Sequence, residues 1–278
     1  MKNRTPWGIW LGVAGTLLTV LFALVWSFPM YWMVVTSLKA DTDTIIVPPT
    51  MYPKPFDLTA YTYILQNSPI LNWYVNSIAT SLLITFFVLV LALLCAFALS
   101  QLEFPGKPWL YWLILAGFMI PFQASIVPLF MLMNSLGLVN SYAGVVLPQL
   151  AAPLAVVIYK QFFDQVPREL GDAARIDGAS EFRVLFNIFL PMNWNITWAL
   201  AIVTFIAAWN NFFWPFIITN ATNMLTIPVG ITQVQSAYGV AYAKTMATAV
   251  MAAFPTVIAY LLFQRRVTEG IMATAGIK

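Results

Sequence analysis

The sequence contains no histidine and a single cysteine, Cys95. One thiol cannot form a disulfide within the chain, and this composition cannot supply a site with histidine and cysteine ligands. General acid–base chemistry loses its commonest side chain, and no pair of acidic residues lies within an apolar run. We therefore assign neither a metal ligand nor a catalytic residue, and we interpret Cys95 as a small packing residue.

Charge is scarce as well. Only 8% of the 278 residues are charged, 61% are apolar, and the mean hydropathy is +0.81. A soluble domain is roughly 25% charged, so this chain is expected to lie in a lipid bilayer. There every backbone polar group must be satisfied internally, and apolar runs of about 20 residues predict helices. The expected fold class is all-α, as a polytopic membrane protein.

The few charged residues divide the chain into apolar intervals that accommodate six transmembrane helices. We predict these helices at about residues 9–36, 73–100, 109–133, 143–163, 195–218 and 243–264. The first is too long for the core of a cleavable signal peptide, so we interpret it as a membrane anchor. Residues 219–230 are predicted to form an exposed loop. No repeat divides the chain, which predicts one membrane domain over residues 1–278 with a core at about 70–264.

Lysine and arginine residues predict the orientation. With both termini in the cytoplasm, the outer side holds Lys39 and Lys54, with Lys244 near an interface. The cytoplasmic side then holds the remaining ten cations: Lys2, Arg4, Lys107, Lys160, Arg168, Arg175, Arg183, Arg265, Arg266 and Lys278. Cytoplasmic loops of membrane proteins carry such an excess of positive charge, so we expect both termini to be cytoplasmic.

One cytoplasmic loop, at about residues 164–194, collects charge. Seven of the seventeen residues in PRELGDAARIDGASEFR, residues 167–183, are charged. Pro167 suits the first turn of a helix, Gly178 permits a sharp turn, and Ser180 can cap a second helix that ends at Pro191. The pattern predicts two short helices joined by a bend.

The first of these helices has two distinct faces. Leu170, Ala173 and Ala174 share a small, smooth face, and Arg168 and Asp172 are spaced to form an ion pair on another. Two interpretations remain open from the residues alone. The segment is either a solvated connector or a docking element for a soluble partner.

The loop resembles the cytoplasmic signature of permeases of ATP-binding-cassette importers. That signature is Glu-Ala-Ala, three residues, Gly, nine residues and Ile-x-Leu-Pro. Here Asp172-Ala173-Ala174 is followed by Gly178 and by Ile188-Phe189-Leu190-Pro191 at the same spacing, with aspartate in place of glutamate. The segments FPMYWMVVTSLK, NSIATSLL, MIPFQASIVPLF, AWNNFFWPF and QRRVTEGIMATAGIK are similar to the carbohydrate branch of that family, in the subunit like the smaller maltose permease.

This resemblance implies specific roles and partners. The loop would be a coupling helix that docks on a cytoplasmic ATPase subunit through Arg168, Glu169, Asp172, Ala173, Ala174, Arg175, Asp177, Gly178 and Ala179. Gly276 and Lys278 match the end of a tail that reaches the ATPase subunits. The implied partners are two such subunits, a second permease of different sequence and an extracytoplasmic solute-binding protein. The implied location is the cytoplasmic membrane of a bacterium or archaeon, and no feature predicts nucleic-acid binding.

This chain itself cannot bind ATP by a phosphate-binding loop. Its one Gly-Lys pair, Gly106-Lys107, lacks both the preceding glycine and the following serine or threonine of that motif. The chain therefore needs no cofactor of its own, and ATP and magnesium are expected on the partner ATPase subunits.

Aromatic rings and neutral amides suit the C–H faces and hydroxyl groups of a sugar. The candidates for a substrate pathway are Trp209, Asn210, Asn211, Gln123 and Asn134, with Trp214 nearby. The alternative roles of such residues are interfacial anchoring for tryptophan and links between helices for amides.

Three other functions are weighed against a sugar importer. A secondary transporter commonly carries ionisable residues inside its membrane helices, and the central turns of the predicted helices contain none. A membrane enzyme lacks candidate acids and bases. An ATP-driven permease for a non-sugar solute remains open.

Overall fold

The computed structural model describes residues 6–238 and 241–274, and every regular element in those ranges is helical. Its contacts divide the chain into two compact units. One unit contains the sequence up to Ser68 and Ile231–Ala253, and the other contains Pro69–Gly230 and the sequence from Phe254 onward. The assignment of residues 1–278 to one domain stays a prediction.

The first unit begins with a long apolar helix, α1 (Pro6–Ser37). A short 3₁₀ turn at Asp41–Ile45 and helix α2 (Thr59–Asn67) follow it. At the end of α1, the buried ammonium of Lys39 donates to the Thr50 carbonyl at 2.5 Å and lies 4.8 Å from the centre of the Trp32 ring. These contacts anchor the proline-rich segment that follows α1.

The second unit is built around the 32-residue helix α3 (Ile70–Gln101). The helices that follow are α4 (Lys107–Met119), α5 (Ile126–Ser135), α6 (Tyr142–Val146), α7 (Pro153–Phe163), α8 (Arg168–Ile176), α9 (Glu181–Val184), α10 (Leu190–Met192), α11 (Trp194–Trp209) and α12 (Phe213–Ile218). The last two helices of the chain, α13 (Ile227–Tyr238) and α14 (Tyr242–Thr274), each contribute residues to both units. A π-helical turn, Leu185–Phe189, joins α9 to α10.

Helices α7 and α11 pack against α3 around a buried aromatic cluster. Phe97 of α3, Phe163 at the end of α7 and Phe189 of the π-helical turn are each at most 4% exposed. The ring of Phe189 lies edge-on to Phe97 at 5.4 Å and to Phe163 at 5.6 Å. Edge-to-face rings at these distances attract each other beyond the effect of burial alone. This aromatic cluster connects two membrane helices to the segment that follows the charged loop.

Six membrane spans are consistent with the structure, but several of them are not straight. Three helices in the described ranges are long and apolar enough to cross as continuous segments, namely Gly12–Ser37, Ile70–Gln101 and Tyr242–Leu261. Three further spans are bent pairs, Lys107–Met119 with Phe122–Ser135 at 91°, Tyr142–Gln149 with Pro153–Phe163 at 49°, and Glu181–Met192 with Trp194–Trp209 at 82°.

The continuous helices predicted at 109–133, 143–163 and 195–218 are therefore wrong in detail. Pro121 and Pro153 lie at two of the bends, where a proline has no amide hydrogen to donate to the preceding turn. The helix predicted at 195–218 ends at Trp209, and a separate helix begins at Phe213. Apolar length alone did not reveal these interruptions.

The predicted exposed loop at 219–230 is also corrected. Leu225 and Ile227 are buried, and helix α13 begins within this segment. Asn76 of α3 donates to the carbonyls of Asn223 and Leu225 at 2.8 and 2.9 Å, and the Ile227 amide donates to Ser77 at 2.7 Å. Polar side chains on α3 thus satisfy the backbone of this segment and draw it into the unit.

Candidate coupling loop and helix-break cluster

The charged loop has the predicted local structure. Helix α8 follows Pro167, and Gly178 adopts φ +83°, a left-handed conformation that glycine accepts at little cost. The Ser180 hydroxyl accepts the Arg183 amide at 3.4 Å and so caps α9. The second helix continues past Pro191 to Met192, because proline is tolerated in the first turn of α10.

Arg175 holds the two arms of the loop together. Its Nε and Nη2 atoms donate to Glu181 at 2.8 and 3.0 Å, across the bend at Gly178. Its Nη1 atom donates to Asp172 at 2.8 Å on the same helix. The hydrogen bonds with Glu181 are the main cause of a raised pKa of the Arg175 guanidinium. The predicted ion pair of Arg168 with Asp172 is therefore wrong, because the carboxylate of Asp172 pairs with Arg175 instead.

The two alanines of the motif face different surroundings. Ala173 is exposed, whereas Ala174 and Ala179 are half-buried against the hydrophobic core. The exposed face of α8 instead contains Leu170, Ala173 and Ile176, and Ile176 is 87% exposed. Sequence analysis missed Ile176, although its spacing of three residues from Ala173 places it beside that residue on one face. The exposed face therefore consists of Leu170, Ala173 and Ile176, and not of Leu170, Ala173 and Ala174 as predicted.

The charged loop connects directly to the core. Val166, Val184 and Leu185 are buried on either side of α8, and Phe189 follows in the aromatic cluster. Gly171 is the buried residue of α8, where an added Cβ would lie 3.6 Å from Phe189 and 3.3 Å from Arg175. Packed side chains therefore link α8 to the core formed with α3 and α7.

A second set of residues meets where the bent spans are interrupted. Trp214 of α12 is fully buried, and its indole Nε1 donates to the Gly144 carbonyl at 3.0 Å. Phe122, at the 91° break, packs edge-on against Trp214 at 5.9 Å. The Asn211 amide donates to Gln149 Oε1 at 2.5 Å, which joins the breaks after α6 and after α11. We call Phe122, Gly144, Gln149, Asn211 and Trp214 the helix-break cluster.

The predicted pathway residues differ in their surroundings. Asn210 is exposed and donates to the Ile206 carbonyl of its own helix at 2.9 Å. Gln123 is exposed within the α4–α5 interruption, and Asn134 is exposed at the far end of α5. Trp209 is only 2% exposed, and its ring packs against Phe205 and Tyr74, so in this conformation it serves as packing. Sequence analysis missed Gln149, whose position beside Pro148 and before Pro153 marks an interrupted helix.

Other predicted residues cannot be placed. Gly276 and Lys278 lie outside the described residues. Among the residues that the structure describes, no group of three or more histidine, cysteine, aspartate or glutamate side chains is arranged to hold a metal ion.

The fold is that of a polytopic membrane protein with several apolar helices. Residues 5–268 match the family described as binding-protein-dependent transport system inner membrane component, and the chain belongs to this family. It is therefore a transport permease of the inner membrane, and not an enzyme.

Several transport permeases are similar to this chain over most or all of its length. The chain is 34% identical to the arabinooligosaccharides transport system permease protein AraQ of Halalkalibacterium halodurans, over 100% of both chains. It is 29% identical to the lactose transport system permease protein LacG of Rhizobium radiobacter, over 89% of this chain and 90% of the relative. It is 30% identical to the sn-glycerol-3-phosphate transport system permease protein UgpE of Agrobacterium fabrum, over 94% and 96%.

Solved structures share the fold. A chain of a bacterial ABC transporter involved in the import of the acidic polysaccharide alginate superposes with a TM-score of 0.85 at 19% identity, covering 95% of this chain and 99% of that one. A second chain, from a bacterial alginate ABC transporter in complex with an alginate pentasaccharide-bound periplasmic protein, gives a TM-score of 0.69 at 15% identity, covering 93% and 95%.

Proposed function

We propose that this permease forms one half of the translocation pathway of an ATP-binding-cassette importer for a sugar or oligosaccharide. The observation that carries the proposal is the charged loop, in which an exposed apolar face and a bidentate ion pair lie on a segment anchored in the membrane core. A passive connector needs neither feature. The names of the relatives, which include transport of arabinooligosaccharides and lactose, support a carbohydrate.

The partners of the proposed importer follow from the same loop. The face of Leu170, Ala173 and Ile176 docks on a cytoplasmic ATPase subunit, and two such subunits bind ATP and magnesium. A second permease of different sequence completes the pathway, and an extracytoplasmic binding protein delivers the solute. Both termini of this chain lie in the cytoplasm, which agrees with the bias of lysine and arginine.

In the proposed coupling, closure of the ATPase subunits moves α8. The Arg175–Glu181 ion pair makes α8 and α9 move together, because a bidentate pair constrains both distance and orientation. The aromatic cluster then passes the motion to α3 and α7. The carried solute meets the helix-break cluster and the nearby exposed amides of Gln123 and Asn210.

The chemistry of that cluster favours a neutral solute. Gln149 and Asn211 are neutral amides, and Phe122 and Trp214 are aromatic. A phosphate or carboxylate group is usually held by arginine or lysine, and these five residues include neither. The relative that is named for sn-glycerol-3-phosphate makes an anionic solute the second candidate.

A ligand panel tests the proposal. The permease is reconstituted in liposomes with its partner permease and ATPase subunits, and ATP hydrolysis is measured with the binding protein and each candidate solute. We expect neutral oligosaccharides to stimulate hydrolysis and solute entry together. Stimulation by glycerol phosphate alone would replace the sugar by an anionic solute as the proposed substrate. Uptake driven by an ion gradient without ATP would overturn the proposal of an ATP-driven importer.

A further inference from the structure

A cleft with basic side chains adjoins the charged loop and shares Arg168 with it. It has a volume of about 480 Å³ and is lined by residues from the end of α3, the start of α4, the end of α7 and the start of α8. Its charged residues are Lys107, Lys160 and Arg168, with Glu103 and Asp164, which gives a net charge of +1. Neither the coupling role nor the solute pathway uses Lys107 or Lys160.

The two carboxylates leave part of this positive charge available. Asp164 accepts from Lys160 at 2.6 Å and from the Ser100 hydroxyl at 2.7 Å, so its charge is already satisfied inside the cleft. The Lys107 ammonium donates to the Leu102 carbonyl at 2.8 Å and to Glu103 at 3.3 Å, which leaves one of its three donors free, and the Glu103 side chain is 76% exposed. An exposed pair of this kind is weak, because water competes for the carboxylate.

Arg168 adds a third cation to the lining of the cleft. It is exposed on the first turn of α8 and has no hydrogen-bond partner among the described residues. An arginine guanidinium and a lysine ammonium that face one cleft can each donate to the oxygens of a phosphate group.

The surroundings of the cleft indicate its depth in the membrane. The apolar run of α3 ends at Leu99, just before Ser100. On the first turns of α4, Trp109 and Trp112 are 81% and 66% exposed, and Tyr111 lines the cleft. Exposed tryptophans gather at the level of the lipid headgroups. The cleft therefore opens where the phosphates of a bilayer lie.

We propose that this cleft binds the phosphate of an anionic phospholipid, in the leaflet on the side of the charged loop. Lys107 and Arg168 donate to the phosphate oxygens, and Trp109 and Trp112 flank the acyl chains. Glu103 swings into water when the lipid binds. Basic pockets between membrane helices recognise anionic headgroups in this way. The lipid would couple the position of α8 to the composition of the membrane, whatever solute the permease carries.

The test uses the assembled transporter with its partner subunits in mild detergent. Short-chain phosphatidylglycerol is added, and native mass spectrometry measures the lipid that is retained. Lys107→Gln and Arg168→Gln are each expected to lower retention about tenfold, the loss of one hydrogen bond to a charged group. Lys107→Arg, which keeps the charge, should retain the lipid, and so should Lys54→Gln in the loop that follows α1. A wild-type yield of the purified permease and a single elution peak show that each variant is folded, independently of how much ATPase subunit it retains.

Four outcomes would overturn the proposal. The first is equal retention of zwitterionic phosphatidylcholine, and the second is wild-type retention in both Lys107→Gln and Arg168→Gln. The third is displacement of the lipid by inorganic phosphate at equal concentration, because that result would assign the cleft to a soluble anion. The fourth is retention only after the ATPase subunits are removed, which would assign the cleft to the ATPase interface.

Discussion

Arg175 and Glu181 form a bidentate ion pair across the bend at Gly178, with nitrogen–oxygen distances of 2.8 and 3.0 Å. Arg175 belongs to α8 and Glu181 to α9, so the pair ties together the two arms of the charged loop. The third nitrogen of the guanidinium is held by Asp172, which fixes the rotamer of Arg175. The pair is partly exposed, so it orients the arms without dominating the stability of the fold.

We expect Glu181→Ala to weaken coupling more than assembly. Loss of a partly exposed pair costs about 0.5–1 kcal/mol, which loosens the link between α8 and α9 by roughly two- to fivefold. We expect a fall of that order in the ratio of solute transported to ATP hydrolysed, measured in liposomes. The double variant Arg175→Glu with Glu181→Arg should recover part of the ratio, and an unchanged ratio in Glu181→Ala would remove the pair from the mechanism.

Gly178 is predicted to be replaceable by asparagine but not by alanine. No atom lies within 4 Å of a Cβ added at this residue, so the cost comes from the backbone at φ +83°. That conformation costs alanine about 1 kcal/mol and costs asparagine less. ATPase co-purification and solute uptake should fall in the order glycine, asparagine, alanine. Equal behaviour of Gly178→Asn and Gly178→Ala would contradict this explanation.

Ala173 and Ala174 provide a matched pair for testing the docking face. Ala173 is exposed, so Ala173→Glu should insert into the membrane at normal yield and lose the ATPase subunits on purification. Ala174 packs against the hydrophobic core, so Ala174→Glu should lower the yield of folded permease by burying a charge. The sequence alone placed both alanines on one docking face. Yield and ATPase content, measured on the same preparation, separate the two effects.

Removal of the link between the helix breaks should alter the solute response. Asn211→Ala breaks the hydrogen bond to Gln149, worth about 1 kcal/mol, and frees two interrupted spans to move apart. We expect about a fivefold weaker stimulation of ATPase activity by subsaturating solute, with normal assembly. Asn67→Ala is the control, because the exposed Asn67 amide bonds to the Tyr63 carbonyl of its own helix, α2, and belongs to neither site. Identical responses of the two variants would exclude a special role for Asn211.

The proposed orientation predicts the labelling of single cysteines. In a Cys95→Ala background, Lys54→Cys and Thr222→Cys should react with an impermeant thiol reagent in intact cells, and Arg183→Cys should react only after permeabilisation. All three native side chains are exposed, so accessibility reports the side of the membrane rather than burial. Labelling of Arg183→Cys alone in intact cells would reverse the topology.

The charge pattern predicted the spans and the charged loop well, because charge and turn residues act locally. Gly178 and Ser180 behave as their chemistry predicts. The breaks at Pro121 and Pro153 were missed because an apolar run reports length, whereas a bend depends on which neighbour satisfies the freed backbone groups. Both prolines were visible in the sequence, and they were the signal from which the two bends could have been predicted.

Tertiary contacts explain the remaining differences. The direction of Ala174 depends on where α8 lies against the core, and helical spacing cannot supply that information. Burial of the 219–230 segment depends on hydrogen bonds that Trp73 and Asn76 donate and that Ser77 accepts, and these residues lie about 150 residues earlier in the chain. Gly230 allows this approach, since a Cβ there would lie 2.2 Å from the Trp73 ring.

The 91° break beside Phe122 has a consequence for the biogenesis of the permease. Lipid offers no hydrogen-bond donors or acceptors to the interrupted backbone, so the bent α4–α5 pair is a poor independent span. Its packing partner Trp214 follows much later in the chain. We therefore expect the α4–α5 pair to remain incompletely packed until α12 has been synthesised. A truncation before Phe213 should leave residues 107–135 accessible to quality-control proteases, whereas extension through Ile218 should protect them.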